Sequence, residues 1–89
     1  MFKPLFHPQA RKVYLKLSGT DFERIDGALE RLQIDPRPHG IKKLGGNMFR
    51  IRVGNWRIIY AINDKEHLII IARIARRSED TYNGVEDLF

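Results

Sequence analysis

The sequence predicts an α+β fold in which an N-terminal helical hairpin packs on one face of a three- to four-stranded antiparallel sheet. Three observations carry that prediction. The N-terminal part holds two runs with apolar residues at helical spacing, separated by a Ser-Gly break. The C-terminal half holds three runs, MFRIRV, WRIIYAI and LIIIARIA, rich in β-branched and aromatic residues. A Gly-Asn dipeptide joins the first two of these, a two-residue hairpin signal.

Taken in order, FKPLF reads as a first strand, and Pro4 confines it to a sheet edge because proline has no N–H to give a neighbour. HPQARKVYLKL follows with Ala10, Val13, Tyr14 and Leu17 at i, i+3, i+4 and i+7, one apolar helical stripe, and Pro8 suits its first turn. After Ser18-Gly19 comes TDFERIDGALERL, where Thr20 and Glu23 are spaced as a capping box and Phe22, Ile25, Leu29 and Leu32 form the buried face. Two helices across so short a break form an αα-hairpin. IDPRPHGIKKLGGN reads as a loop, because two prolines and three glycines oppose regular structure, and this sets Lys42 and Lys43 on that loop. The strands follow, with NDKEH joining the second to the third. The last stretch, RRSEDTYNGVEDLF, fits a short helix or a loop equally well.

Eighty-nine residues, 43% apolar and 10% aromatic, suit one folded domain over 1–89. The chain has no cysteine, which removes disulfides and thiolate metal sites and fits a cytoplasmic setting. MFKPLFHPQARK has no long apolar run, so neither a signal peptide nor a membrane span is expected. His7, His39 and His67 are scattered without metal-ligand spacing, and no metal or cofactor is expected. LGGN lacks the Lys-Ser/Thr of a phosphate loop and leads into a strand, so it reads as a turn. Ser18, Thr20 and Ser78 have no adjacent base to activate them.

The charge is informative. Net charge is +5, and the excess is concentrated: Lys42 to Arg77 carries nine basic and two acidic residues, while Ser78 to Phe89 carries four acids and no base. If Gly54-Asn55 is a two-residue turn, Val53 opposes Trp56 and Arg52 opposes Arg57, and opposed residues share a face. Phe49, Ile51, Val53, Trp56, Ile58 and Tyr60 then face the helices, while Arg50, Arg52 and Arg57 face outward with Ile59 and Ala61. Strict alternation along the third strand sends Leu68, Ile70, Ala72 and Ile74 to the core. It leaves Ile69, Ile71, Arg73 and Arg77 outward, with Ile59, Ile69 and Ile71 as a partly apolar floor. Arg76 points inward unless the strand ends before it.

These arginines could simply solubilise the outer face, but two observations oppose that. Like charges directly opposed across strands destabilise a sheet, and the three strands carry no acid to mix the signs. An anion-binding face follows, with phosphate the anion that guanidinium forks suit best and RNA or DNA the polymer. Lys42 and Lys43 extend its electrostatic footprint. Tyr82 follows the third strand closely enough to fold over it, as a stacking platform or a proton carrier, or else to anchor the tail.

From Leu44 to Tyr82 the chain resembles the RelE/ParE superfamily of toxins from toxin–antitoxin pairs. KLGGNMFRIRVGNWRIIYAI followed by IIIARIARRSEDTY carries the likeness: a Lys-Leu-x-Gly entry, an alternating basic strand, an aromatic-Arg-hydrophobic-hydrophobic-Tyr strand and a basic end before a tyrosine. The helical hairpin also fits. RelE-like members are ribosome-dependent endoribonucleases that cut mRNA in the ribosomal A site; ParE-like members poison DNA gyrase. For the RelE-like branch the resemblance implies a metal-free attack of a ribose 2′-hydroxyl on the adjacent phosphate. It implies Arg50, Arg52, Arg57, Arg77 and Tyr82 as catalytic residues, and Lys42, Lys43, Arg73 and Arg76 beside them are expected to bind the RNA. Counting back from Tyr82 selects Arg76 instead of Arg77, whereas facing selects Arg77. RelE itself has lysines where this chain has Arg50 and Arg52, and arginine cannot act as a base near neutral pH. The implied partners are mRNA, the ribosome and a cognate antitoxin.

Overall fold

The structure, a computed structural model, describes residues 1–77. The chain runs β1 (Lys3–Phe6), α1 (Pro8–Lys16), α2 (Gly19–Ile34), β2 (Lys42–Gly45), β3 (Met48–Val53), β4 (Trp56–Asn63) and β5 (Leu68–Arg76). Pro4 explains where β1 lies. The N–H groups of Lys3 and His7 donate to the carbonyls of His67 and Ile71, at 2.8 and 2.9 Å. Alternation turns the nitrogen of Pro4 to the open edge, where no donor is required. The edge position agrees with the sequence, but the pairing is parallel, with β5. The sheet is therefore mixed and has five strands, in the order β1-β5-β4-β3-β2. The expected edge strand is present but parallel, and β2 adds one strand beyond the three to four expected.

Helix α1 begins at Pro8, and the Nδ1 of His7 accepts the N–H of Gln9 at 3.2 Å, capping its open end. Gly19, at φ +56°, makes the turn into α2. Because α2 begins there, Thr20 lies inside the first turn and is not its cap, and the N-cap residue Ser18 makes no side-chain capping bond. The capping box read from Thr20 and Glu23 is thus displaced by the glycine turn. Ile25, Ala28, Leu29 and Leu32 bury the inner face of α2. Phe22, expected among them, sits at the rim, 37% exposed, with its ring 5.6 Å from that of Tyr14. The Tyr14 hydroxyl donates to Asp26 at 2.8 Å and ties the two helices together.

Between α2 and the sheet, the Tyr60 hydroxyl donates to the Pro36 carbonyl at 2.8 Å, and the Arg37 fork grips Asp64 at 2.8 and 3.0 Å. β2 then forms inside the segment read as a loop. It is a short, exposed edge strand antiparallel to β3, with its register shifted between Lys43 and Gly45. Pairing with β3 supplies the hydrogen bonds that its glycine-rich composition does not advertise, and two lysines suit an open edge.

The β3–β4 hairpin has the register read from Gly54-Asn55: Val53 opposes Trp56, Arg52 opposes Arg57 and Phe49 opposes Tyr60. β5 departs from strict alternation. Ile74 pairs with Ile58 and Arg73 with Ile59, yet Tyr60 pairs with Ile71, so Ala72 is an extra residue in a bulge. Ile69 and Ile71 consequently join Ile58, Tyr60, Ile62 and Ile74 in the core under the helices. Leu68 and Ile70, expected in the core, alternate outward instead. The bulge lets Ile69, Ile71 and Ile74 all be buried while Arg73 still faces out.

Candidate phosphate-binding face

The sheet surface away from the helices carries two rows defined by register. One runs Lys42, Arg50, Ile59 and Arg73 across β2, β3, β4 and β5. The next runs Arg52, Arg57 and Ala75 across β3, β4 and β5. Ile59 and Ala75 are 1% and 2% exposed, although neither belongs to the core beneath the helices. They form a solvent-excluded apolar floor flanked in register by the basic residues of the two rows. The floor is thus Ile59 with Ala75, in place of Ile59 with Ile69 and Ile71.

The arginines are ordered by depth. Arg50 is 7% exposed, Arg57 and Arg73 are half-buried, and Arg52 is open to solvent. The Nε atoms of Arg50, Arg57 and Arg73 are all buried, and burial of the stem limits the freedom of each side chain. A constrained guanidinium loses little rotamer freedom when it grips an anion, and its fork matches two phosphate oxygens. Neither row contains an acidic residue.

The other residues singled out in the sequence separate. Lys43 opposes Phe49 and belongs to the opposite side of β2 from Lys42. Arg76 opposes Trp56, and its guanidinium lies 4.8 Å from the Trp56 ring centre, on the helix side of the sheet. Arg77 follows the end of β5, exposed, and its N–H donates to the Asn55 carbonyl at 2.6 Å, which fastens it to the β3–β4 turn. Tyr82 lies outside the described residues. One more basic residue comes close to this end: Arg24 of α2 lies across the turn, with a terminal nitrogen 2.9 Å from where a side chain on Gly54 would begin. Helical spacing gives no hint of that reach.

Neither tyrosine of the structured core is a candidate for moving protons here. Burial pushes the Tyr60 phenol up to about 12, and its hydroxyl is committed to Pro36 on the helix side. The Tyr14 phenol is raised by its bond to Asp26, also away from the rows. None of the three histidines belongs to either row. The described part of the face can bind an anion and neutralise charge developing on it.

This geometry agrees with what the chain resembles in sequence. The ParE toxin family of type II toxin–antitoxin systems matches residues 5–81. The RelE1 protein of Methanocaldococcus jannaschii is 28% identical over 81 residues, covering 85% of this chain and 90% of that protein. Among solved structures, the toxin–antitoxin complex RelE–RelB of Pyrococcus horikoshii matches at 26% identity and TM-score 0.77, over 88% of this chain and 97% of that one. The isolated RelE toxin of E. coli matches in fold over the full length of both chains, at TM-score 0.77 and 21% identity. The chain belongs to the RelE/ParE family: it is a toxin of a type II toxin–antitoxin system.

Proposed function

We propose that this chain is a RelE-type endoribonuclease that acts in the cytoplasm, cuts mRNA in the ribosomal A site and is silenced by a cognate antitoxin. The observation that carries this reading is the pair of acid-free rows, with Arg50, Arg57 and Arg73 held around an apolar floor. An inhibitor that only docks on another protein has no need for several half-desolvated guanidinium groups converging on one patch.

In the proposed reaction the ribose 2′-oxygen attacks the adjacent phosphorus while the bond from phosphorus to the 5′-oxygen breaks. A 2′,3′-cyclic phosphate and a 5′-hydroxyl result. One proton leaves the 2′-hydroxyl and one reaches the departing 5′-oxygen. Arg50, Arg52, Arg57 and Arg77 hold the scissile phosphate and stabilise the charge that grows on its oxygens, which is a large catalytic effect in a partly dry site. Lys42 and Arg73, which share the row of Arg50, contact neighbouring parts of the RNA, whereas Lys43 and Arg76 lie on the other side of the sheet and take no part in that surface. Tyr82 is the chain's own proton-transfer candidate, since no arginine can serve as a base. Alignment of the mRNA by the ribosome supplies much of the remaining rate.

Primer extension on mRNA from induced cells tests the reading. Cuts within codons that disappear when translation is blocked are the expected result, and Arg57→Ala is expected to lower cleavage by about 10²-fold or more with the fold intact. Intact mRNA together with broken, gyrase-linked DNA would overturn it. That outcome would establish the second reading, a ParE-like gyrase inhibitor, which the description of the matching family favours.

A further inference from the structure

On the helix side of the sheet, away from the arginine rows, there is a cleft of about 300 Å³. Val13, Lys16 and Leu17 from the end of α1, Ser18 before α2, Asp21 in its first turn, and Trp56 and Arg76 at the end of the sheet line it, two cations against one acid. Trp56 forms a buried floor between half-buried Val13 and Leu17. The mouth is cationic: Lys16 is exposed, and Arg76 is held over the Trp56 ring. The solvent side of α1 continues the pattern with Arg11, Lys12 and Leu15, the last 69% exposed, and α1 contains no acid.

A nucleic acid would gain from these cations but would leave the apolar cleft unfilled. The Trp56 face is already covered by Arg76, so it offers no stacking platform for a base. An acidic polypeptide with one large apolar side chain satisfies both the hole and its surround. We propose that the cleft is a socket for an apolar anchor on an acidic segment of the cognate antitoxin. The toxin is then gripped on the side opposite its arginine rows. This rests on the reading of the chain as one half of a toxin–antitoxin pair.

Trp56 is the only tryptophan, so the full chain labelled with fluorotryptophan gives one fluorine resonance from the floor of the socket. The probe is the full-length antitoxin encoded with this chain. Its binding is expected to shift that resonance. Ser18→Phe plugs the mouth without removing a capping bond, and Lys16→Glu reverses the rim charge. Each is expected to weaken the complex about tenfold or more while growth arrest without antitoxin is unchanged. Wild-type affinity in both variants with an unmoved Trp56 resonance would overturn the proposal. So would variants that keep antitoxin affinity but lose ribosome binding, which would make the cleft a nucleic-acid surface. A wild-type chain that forms no complex at all would overturn the antitoxin pairing itself, and the socket with it.

Discussion

Arg52 and Arg57 face each other directly across β3 and β4, an arrangement that folding alone does not favour. Replacing exposed Arg52 by threonine is expected to raise stability by about 0.2–1 kcal/mol in denaturant unfolding, while weakening RNA binding. That opposition between stability and binding marks a residue kept for its site. Tyr60 gives a second residue-scale expectation. Its phenol ionises near 10 in the unfolded chain but only at about 12 when folded, because burial disfavours the phenolate. Its stabilising contribution is complete below pH 10 and is lost as pH rises through 12. Tyr60→Phe should flatten the fall in stability over that window and cost about 1 kcal/mol below it, through the orphaned Pro36 carbonyl. Gly54 offers a third case. Its φ of +60° and the Arg24 nitrogen over it mean that Gly54→Ala should lower the melting temperature, with little relief from side-chain movement because alanine is strained at that φ.

At the scale of elements, β5 separates what local sequence conveys from what pairing decides. Alternation on β3 and β4 was readable because one short turn fixes their register, and every opposed pair agrees with it. The bulge at Ala72 has no signal of that kind. LIIIARIA is apolar on both parities through residues 68–72, so neither phase is penalised until β4 selects one. The two phases predict opposite mutational costs. With the bulge, Ile69→Ala should cost about 2–5 kcal/mol and Ile70→Ala well under half of that, read as the shift in denaturant midpoint. Equal costs, or the reverse order, would mean that strict alternation holds. β2 was missed because the two prolines and three glycines around it hide a strand that forms only by pairing with the neighbouring β3. The capping residue of α2 was displaced because Gly19 could turn the chain earlier than Thr20 could cap it.

Across the whole molecule, charge is sorted by surface. The outer face of the sheet holds the arginine rows, and the rim near the Trp56 cleft carries its own cations from α1 and β5. Most of the first set was legible in the sequence, because strand alternation and a two-residue turn convert position directly into facing. The second was not, because it is assembled from a helix end and a strand end that are far apart in the chain. RNA affinity should fall linearly on a log–log plot against salt, with a slope that grows with the number of phosphates neutralised. Arg50→Ala and Arg73→Ala should each reduce that slope by about one phosphate's worth, measured by fluorescence titration with a single-stranded RNA.

The parallel pairing of β1 with β5 has a temporal consequence. Lys3 is made almost first, and its partner Leu68 near the end of the described chain. The long loop between them makes this the slowest contact to close. Arg73 and Ala75 travel on that same late strand. A nascent chain can therefore form its helices and the β3–β4 hairpin while still lacking one end of each arginine row. During synthesis, sealing the sheet and completing the arginine face become a single event, which a chain terminated before β5 never reaches.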